Sequence, residues 1–193
     1  MGVDHLALEL AATIRHDGHG GVADDLAEPA GLTRWVRERV GALDDYGFAS
    51  GEVPGGGAAF TADAIVLAAV VEVRTAVRAL FGRAVLPGAP SAADAGRLPA
   101  AGQALGRLNA ACARVPVTAW LDWPQDGPPV ARYGVTGAAT PAERLAAALA
   151  RAAVAFLDSP ARDRLRACPA PRCVRYFVQE HPRQQWCKPS CGN

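Results

Sequence analysis

The sequence has no apolar run of roughly 18 residues, the length that a membrane-spanning helix requires. Its best candidate, Leu145 to Leu157, is shorter and carries Arg151 in its middle, so neither a transmembrane helix nor a membrane partner is expected. The first residues, Met1-Gly2-Val3-Asp4-His5, lack the basic start and long apolar core of a secretory signal. They also lack the Ser or Thr of a myristoylation site, and together these absences predict a cytoplasmic protein. No Cys-x-x-Cys pair occurs, which argues against thiol–disulfide catalysis. With 193 residues the chain has room for one ordinary core and a short appendage, which excludes a large multidomain enzyme.

What is present is enough apolar side chain to fold: 50% of the residues are hydrophobic and 20% charged, outside the range of disordered chains. The charge is unevenly spread. From Arg162 onward seven basic residues stand against Asp163 and Glu180, a local charge of +5, whereas residues 1 to 161 carry −4. An acidic body with a basic tail is the asymmetry expected where only the tail meets a polyanion.

Apolar periodicity predicts a mainly α fold: a multihelical N-terminal domain over 1–160 with one β-hairpin, followed by a small four-cysteine zinc-finger module over 161–193. Residues 4 to 14 read as a helix and Arg15 to Gly21 as a polar loop. A second helix starts near Pro29, buries Leu32, Trp35, Val36 and Val40, and stops at Gly41. The glycine-rich stretch 47–57 reads as a surface loop. Thr61 is placed to cap a long helix with the stripe Ile65, Ala69, Val73, Ala76, Val77 and Leu80, ending at Gly82. Leu105, Leu108, Cys112 and Val115 mark another helix, which makes Cys112 a core thiol. Residues 115–123 and 129–135 flank a Pro-Gln-Asp-Gly turn and read as the hairpin. Thr140-Pro141-Ala142-Glu143 is a capping box opening a helix through Leu145, Leu149, Ala152 and Phe156. Ser159-Pro160 then reads as a hinge.

The chemistry-bearing signal is Cys168-x4-Cys173-x13-Cys187-x3-Cys191. Two close pairs of soft thiolates suit a closed tetrahedral site for one zinc ion, with iron as the other metal such a set accepts. The competing reading is two disulfides or unpaired core thiols. The odd cysteine count and the expected reducing compartment disfavour it. A segment of about 30 residues buries too little apolar surface to fold without a staple, so the metal would be part of the fold. Four cysteines close the coordination shell and leave no position for a reacting water, so a catalytic metal is not expected. His181 reads as a solvated loop residue, and His16-Asp17-Gly18-His19, with His5 upstream, as a polar loop rather than a second metal site. Nothing in residues 1 to 160 names a reaction.

The run Cys168, Cys173, Tyr176-Phe177, Gln185-Trp186-Cys187 and Cys191-Gly192-Asn193 resembles the CGNR-type zinc finger of bacterial proteins. Leu6-Ala7-Leu8-Glu9-Leu10, Asp25-Leu26-Ala27-Glu28-Pro29, Leu32-Thr33-Arg34-Trp35-Val36, Glu72 to Leu80 and Leu108-Asn109 resemble its usual partner, the ABATE domain. The resemblance implies a stress-induced transcriptional regulator that binds DNA, with Cys168, Cys173, Cys187 and Cys191 as zinc ligands. Arg164, Arg166, Arg172, Arg175, Arg183 and Lys188 are the candidate phosphate contacts, because guanidinium and ammonium groups around a metal-held loop can meet phosphates in fixed geometry. On this reading the helical domain senses a small-molecule effector or forms a homodimer. The alternative is a zinc-stabilised protein-interaction module, with Tyr176, Phe177 and Trp186 either as docking anchors or as the module's miniature core.

Overall fold

The long apolar stretches of the sequence become three helices packed on one another, and everything else is arranged around them. A computed structural model describes residues 5–17, 19, 21–48, 60–94 and 96–192. In chain order these form α1 (Leu6–Ala11), β1 (Ile14–His16), β2 (Val22–Asp24), α2 (Pro29–Arg37), α3 (Val40–Asp44), α4 (Ala64–Ala84), α5 (Ala101–Arg114), β3 (Val117–Asp122), β4 (Val130–Val135), α6 (Pro141–Asp158), β5 (Leu165–Ala167) and β6 (Tyr176–Val178). Short 3-10 turns lie at Ala92–Asp94, Pro160–Arg164 and Pro189–Cys191. Helices α4, α5 and α6 pack pairwise, and α1 lies against α4 and α6. The mainly α expectation holds.

Helix α6 starts where its box predicts. The Thr140 hydroxyl accepts from the Glu143 amide at 3.2 Å while the Glu143 carboxylate accepts from the Thr140 amide at 3.0 Å. Its stripe Leu145, Leu149, Ala152 and Phe156 is buried, as 3.6-residue periodicity requires. The β3–β4 hairpin also forms, pairing Val117 with Val135 through Asp122 with Val130. Cys112 is half-buried against the core.

Helix α4 departs from expectation in its cap, while Val73, Ala76, Val77 and Leu80 of its expected stripe are buried. Asp63, not Thr61, accepts from the Val66 amide at 2.8 Å, and the helix runs past Gly82 to Ala84. Ile65 is 72% exposed, while Val66, Val70, Val73, Val77 and Phe81 are buried. In the first turn Ile65 and Val66 are equally apolar neighbours, and packing turns Val66 inward. In α5, Leu105 of the expected stripe lies exposed while Leu108 is buried. Gly41 lies inside α3 rather than ending α2, and Val40 is half-buried.

At the start of the predicted loop Arg15 to Gly21, Arg15 and His16 belong instead to β1, which pairs antiparallel with β2, while Asp17, His19 and Gly21 lie in the connection as expected. Asp17 closes its turn by accepting the amides of His19 at 2.7 Å and Gly21 at 2.9 Å. Three-residue strands are too short to display an alternation. The expected loop at 47–57 falls, from residue 49 on, outside the described residues; Phe48 before it is buried against Phe60.

Two arginines on the inward face of α4 join distant segments. Arg74 is bidentate to Asp24 and donates to the Thr13 hydroxyl at 3.0 Å. Burial on its own would raise the Asp24 carboxyl, but Arg74 and the Leu26 amide hold it below its ordinary value. Arg78, fully enclosed, pairs with buried Asp94 at 2.7 Å and donates to the Ala11 carbonyl at 2.6 Å. Its remaining donors reach the Ser91 hydroxyl and the Val174 carbonyl, each at 3.1 Å.

That last contact bears on the expected hinge at Ser159-Pro160. The chain turns there but does not separate: Leu165 and Tyr176 belong to the main core. Tyr176 packs 5.5 Å from Phe81, donates to Asp94 at 2.7 Å and accepts from the Ser91 amide at 3.2 Å. Burial and the neighbouring carboxylate push its phenol well above the usual range.

Candidate metal centre and basic cleft

The cysteine module is built from a tight hairpin and a 3-10 turn. Strands β5 and β6 pair Leu165 with Val178 and Ala167 with Tyr176. Beyond them the Cys168 amide donates to the Arg175 carbonyl at 2.9 Å, and the Cys173 amide closes a turn on the Ala170 carbonyl at 2.9 Å. The first cysteine pair therefore flanks the loop of one hairpin. Cys191 ends the Pro189–Cys191 turn, where its amide reaches the Lys188 carbonyl at 3.0 Å, and Cys187 lies just before that turn. Gly192 follows because nothing larger fits: a Cβ there would lie 2.6 Å from the Trp186 indole nitrogen.

All four sulfurs lie within 4.8 Å of one another, with Cys173 to Cys187 and Cys187 to Cys191 both at 3.6 Å. Zinc–sulfur bonds of about 2.3 Å put the sulfurs of a tetrahedral site about 3.8 Å apart, so the set has the size zinc demands. Backbone donors contribute too. Burial would raise the Cys168 thiol, but the Cys187 and Ala170 amides and the adjacent sulfurs hold it below its ordinary value. Burial pushes the Cys173 thiol up, and burial together with the other sulfurs drives Cys187 far up. One thiolate is thus favoured and a second is opposed, the electrostatics of a cluster that needs a cation to ionise fully.

The six candidate basic residues are all exposed, but they do not share one site. Arg172, Arg175 and Lys188 line a cleft of about 690 Å³ beside Cys173 and Cys191. Arg164, Arg166 and Arg183 are not in its lining, and Arg166 spends donors on the Asp163 and Leu165 carbonyls. Among the described residues, no carboxylate lies within 4.0 Å of Arg172, Arg175 or Lys188. The cleft also contains Arg15 of β1, which sequence reasoning missed. Nothing near position 15 signals a partner more than 150 residues away. His181 is exposed, as expected of a loop residue. His16 lies at the cleft, on β1.

Of the three aromatic residues proposed as docking anchors, Tyr176 is 5% exposed and committed to the core. Phe177 and Trp186 are half-buried.

The fold and the site together define a class: a helical domain with a four-cysteine zinc-finger module at its C-terminal end. Residues 4–160 match the family described as "Putative stress-induced transcription regulator" (ABATE), and residues 164–193 match the CGNR zinc finger. The chain belongs to the ABATE family and carries a CGNR zinc finger, whose four clustered cysteines could hold one zinc ion. Both are regulator or zinc-finger families rather than enzyme families. No curated protein matches the sequence. Among the described residues no helix is long and apolar enough to cross a membrane.

Proposed function

We propose that the protein is a cytoplasmic, non-enzymatic transcription regulator that binds DNA through its zinc-finger module. Cys168, Cys173, Cys187 and Cys191 hold one structural zinc ion, and the metal fixes the loops from which Arg172, Arg175 and Lys188 project. The observation that carries this reading is the gathering of those three cations, without a carboxylate partner among the described residues, in one cleft against the metal site. Uncompensated cations on a rigid support favour a phosphate backbone, because binding releases condensed counterions and the held geometry limits the entropy lost. Arg164, Arg166 and Arg183 add general positive potential around it.

The helical domain, in this reading, senses an effector or pairs two copies. Pairing is supported by the β3–β4 hairpin, where Trp120, Leu121 and Trp123 are largely exposed. Docking of a protein on the zinc module is the weaker alternative, since one of its three aromatic anchors is buried.

The test is duplex binding of the zinc-loaded chain as a function of salt. The three phosphate contacts of the module contribute about −3 to the slope of log affinity against log salt. The triple substitution Arg172→Ala, Arg175→Ala, Lys188→Ala should remove most of that slope. No duplex affinity at low salt would refute the reading.

A further inference from the structure

The cleft beside the zinc module is not made by that module alone. Arg15 reaches it from β1, in the helical body. A second depression of about 330 Å³ adjoins it, sharing His16, Pro171, Arg172 and Val174 and adding Arg97 from beyond the Ala92–Asp94 turn. Five cations from three separate chain segments therefore border one path across the joint between body and module: Arg15, Arg97, Arg172, Arg175 and Lys188. The carboxylates on the β1–β2 hairpin are already engaged. Asp25 accepts from the Arg15 Nε at 2.7 Å, leaving the outer guanidinium nitrogens of Arg15 with no partner among the described residues. Asp17 accepts two backbone amides of its own turn.

The width of the joint is fixed from inside. Val174, which lines both depressions, has its carbonyl held by the Arg78 Nη2 at 3.1 Å and the Ser91 hydroxyl at 2.9 Å, both buried. A ligand entering there meets groups already placed, which reduces the ordering cost of binding.

We infer that the anion site is composite: Arg15 and Arg97 of the helical body, with Arg172, Arg175 and Lys188 of the zinc module, grip consecutive phosphodiesters of one DNA strand across the joint. Two adjoining depressions sharing Arg172 suit a run of phosphates better than a single phosphate group. This inference rests on the DNA-binding reading above. It adds that the zinc module supplies only three of the five cations, and that Asp25 restrains Arg15 from full engagement.

The experiment measures affinity and salt slope on a short duplex for zinc-loaded full-length variants. Arg15→Ala should weaken binding by about tenfold and reduce the salt slope by about 1, with Arg97→Ala acting in the same direction. Asp25→Asn, which keeps the shape and frees Arg15, should tighten binding. Arg107→Ala, removing an equal charge on α5 where Arg107 faces Glu72, should change little. The opposite signs at positions 15 and 25 separate a phosphate contact from a loss of folding. If the Arg172, Arg175, Lys188 triple variant loses binding while Arg15→Ala behaves like Arg107→Ala, the composite site is overturned and the DNA reading stands. If the triple variant binds like the parent, the DNA reading itself fails. Tight binding of a free mononucleotide without duplex binding would overturn the assignment to a nucleic-acid backbone.

Discussion

Helix α6 buries Leu145, Leu149, Phe156 and a row of alanines, whereas the segment from Cys168 to Gly192 buries only Cys168, Val174 and Tyr176. The helical body is held by apolar area removed from water, at roughly 25 cal/mol per Å². The module has little such area and depends on four sulfurs meeting at one point and on Tyr176 and Val174 docking into the body. Two means of support in one chain make two kinds of fragility. Removing a methyl group should matter in the body, and removing a ligand should matter in the module. The joint between them is polar and buried, so it should respond to the loss of single hydrogen bonds.

The largest effect expected is at the metal. Cys187→Ser should abolish stoichiometric zinc and collapse amide-exchange protection over residues 168–192, because apparent zinc binding energies of about 10–16 kcal/mol exceed what this segment can supply by packing. Protection in α4 and α6 should survive. Parallel loss of protection in those helices would break the contrast. Next in size is Leu149→Ala, a cavity in the centre of the body, expected to lower unfolding stability by about 2–5 kcal/mol in a denaturant titration without reducing zinc content. Smallest is Tyr176→Phe, which removes the hydroxyl shared by Asp94 and the Ser91 amide. It should cost about 1–3 kcal/mol, since it leaves buried groups short of a partner, and should show first as faster exchange at the joint. If Tyr176→Phe left exchange at the joint unchanged, the buried network would not be what holds the module to the body.

How much of this was legible in the sequence follows from distance along the chain. The capping box at Thr140 and Glu143 spans four positions and reads directly. The cysteine spacing reads as a metal set because each pair is local and the chemistry of four thiolates is narrow. The β1–β2 hairpin did not read, because three residues per strand carry no periodicity; its turn is closed by Asp17 through both its side chain and its own amide. The inward face of α4 read correctly at Val73, Ala76, Val77 and Leu80 but not at Ile65, because in the first turn the adjacent and equally apolar Val66 takes the inward position. Arg74 and Arg78 carried a signal that went unused: two arginines four apart on a helix otherwise destined for the core require carboxylates, and Asp24 and Asp94 supply them. Arg15 carried none, since only the folded chain brings it beside Arg172.

The most direct measurement of the central claim is metal content with X-ray absorption at the zinc edge, on protein purified under reducing conditions. One zinc per chain with four sulfur neighbours at about 2.3 Å is the expected result. A metal-free chain whose residues 168–192 remain protected from exchange, or a zinc shell containing oxygen or nitrogen, would contradict it.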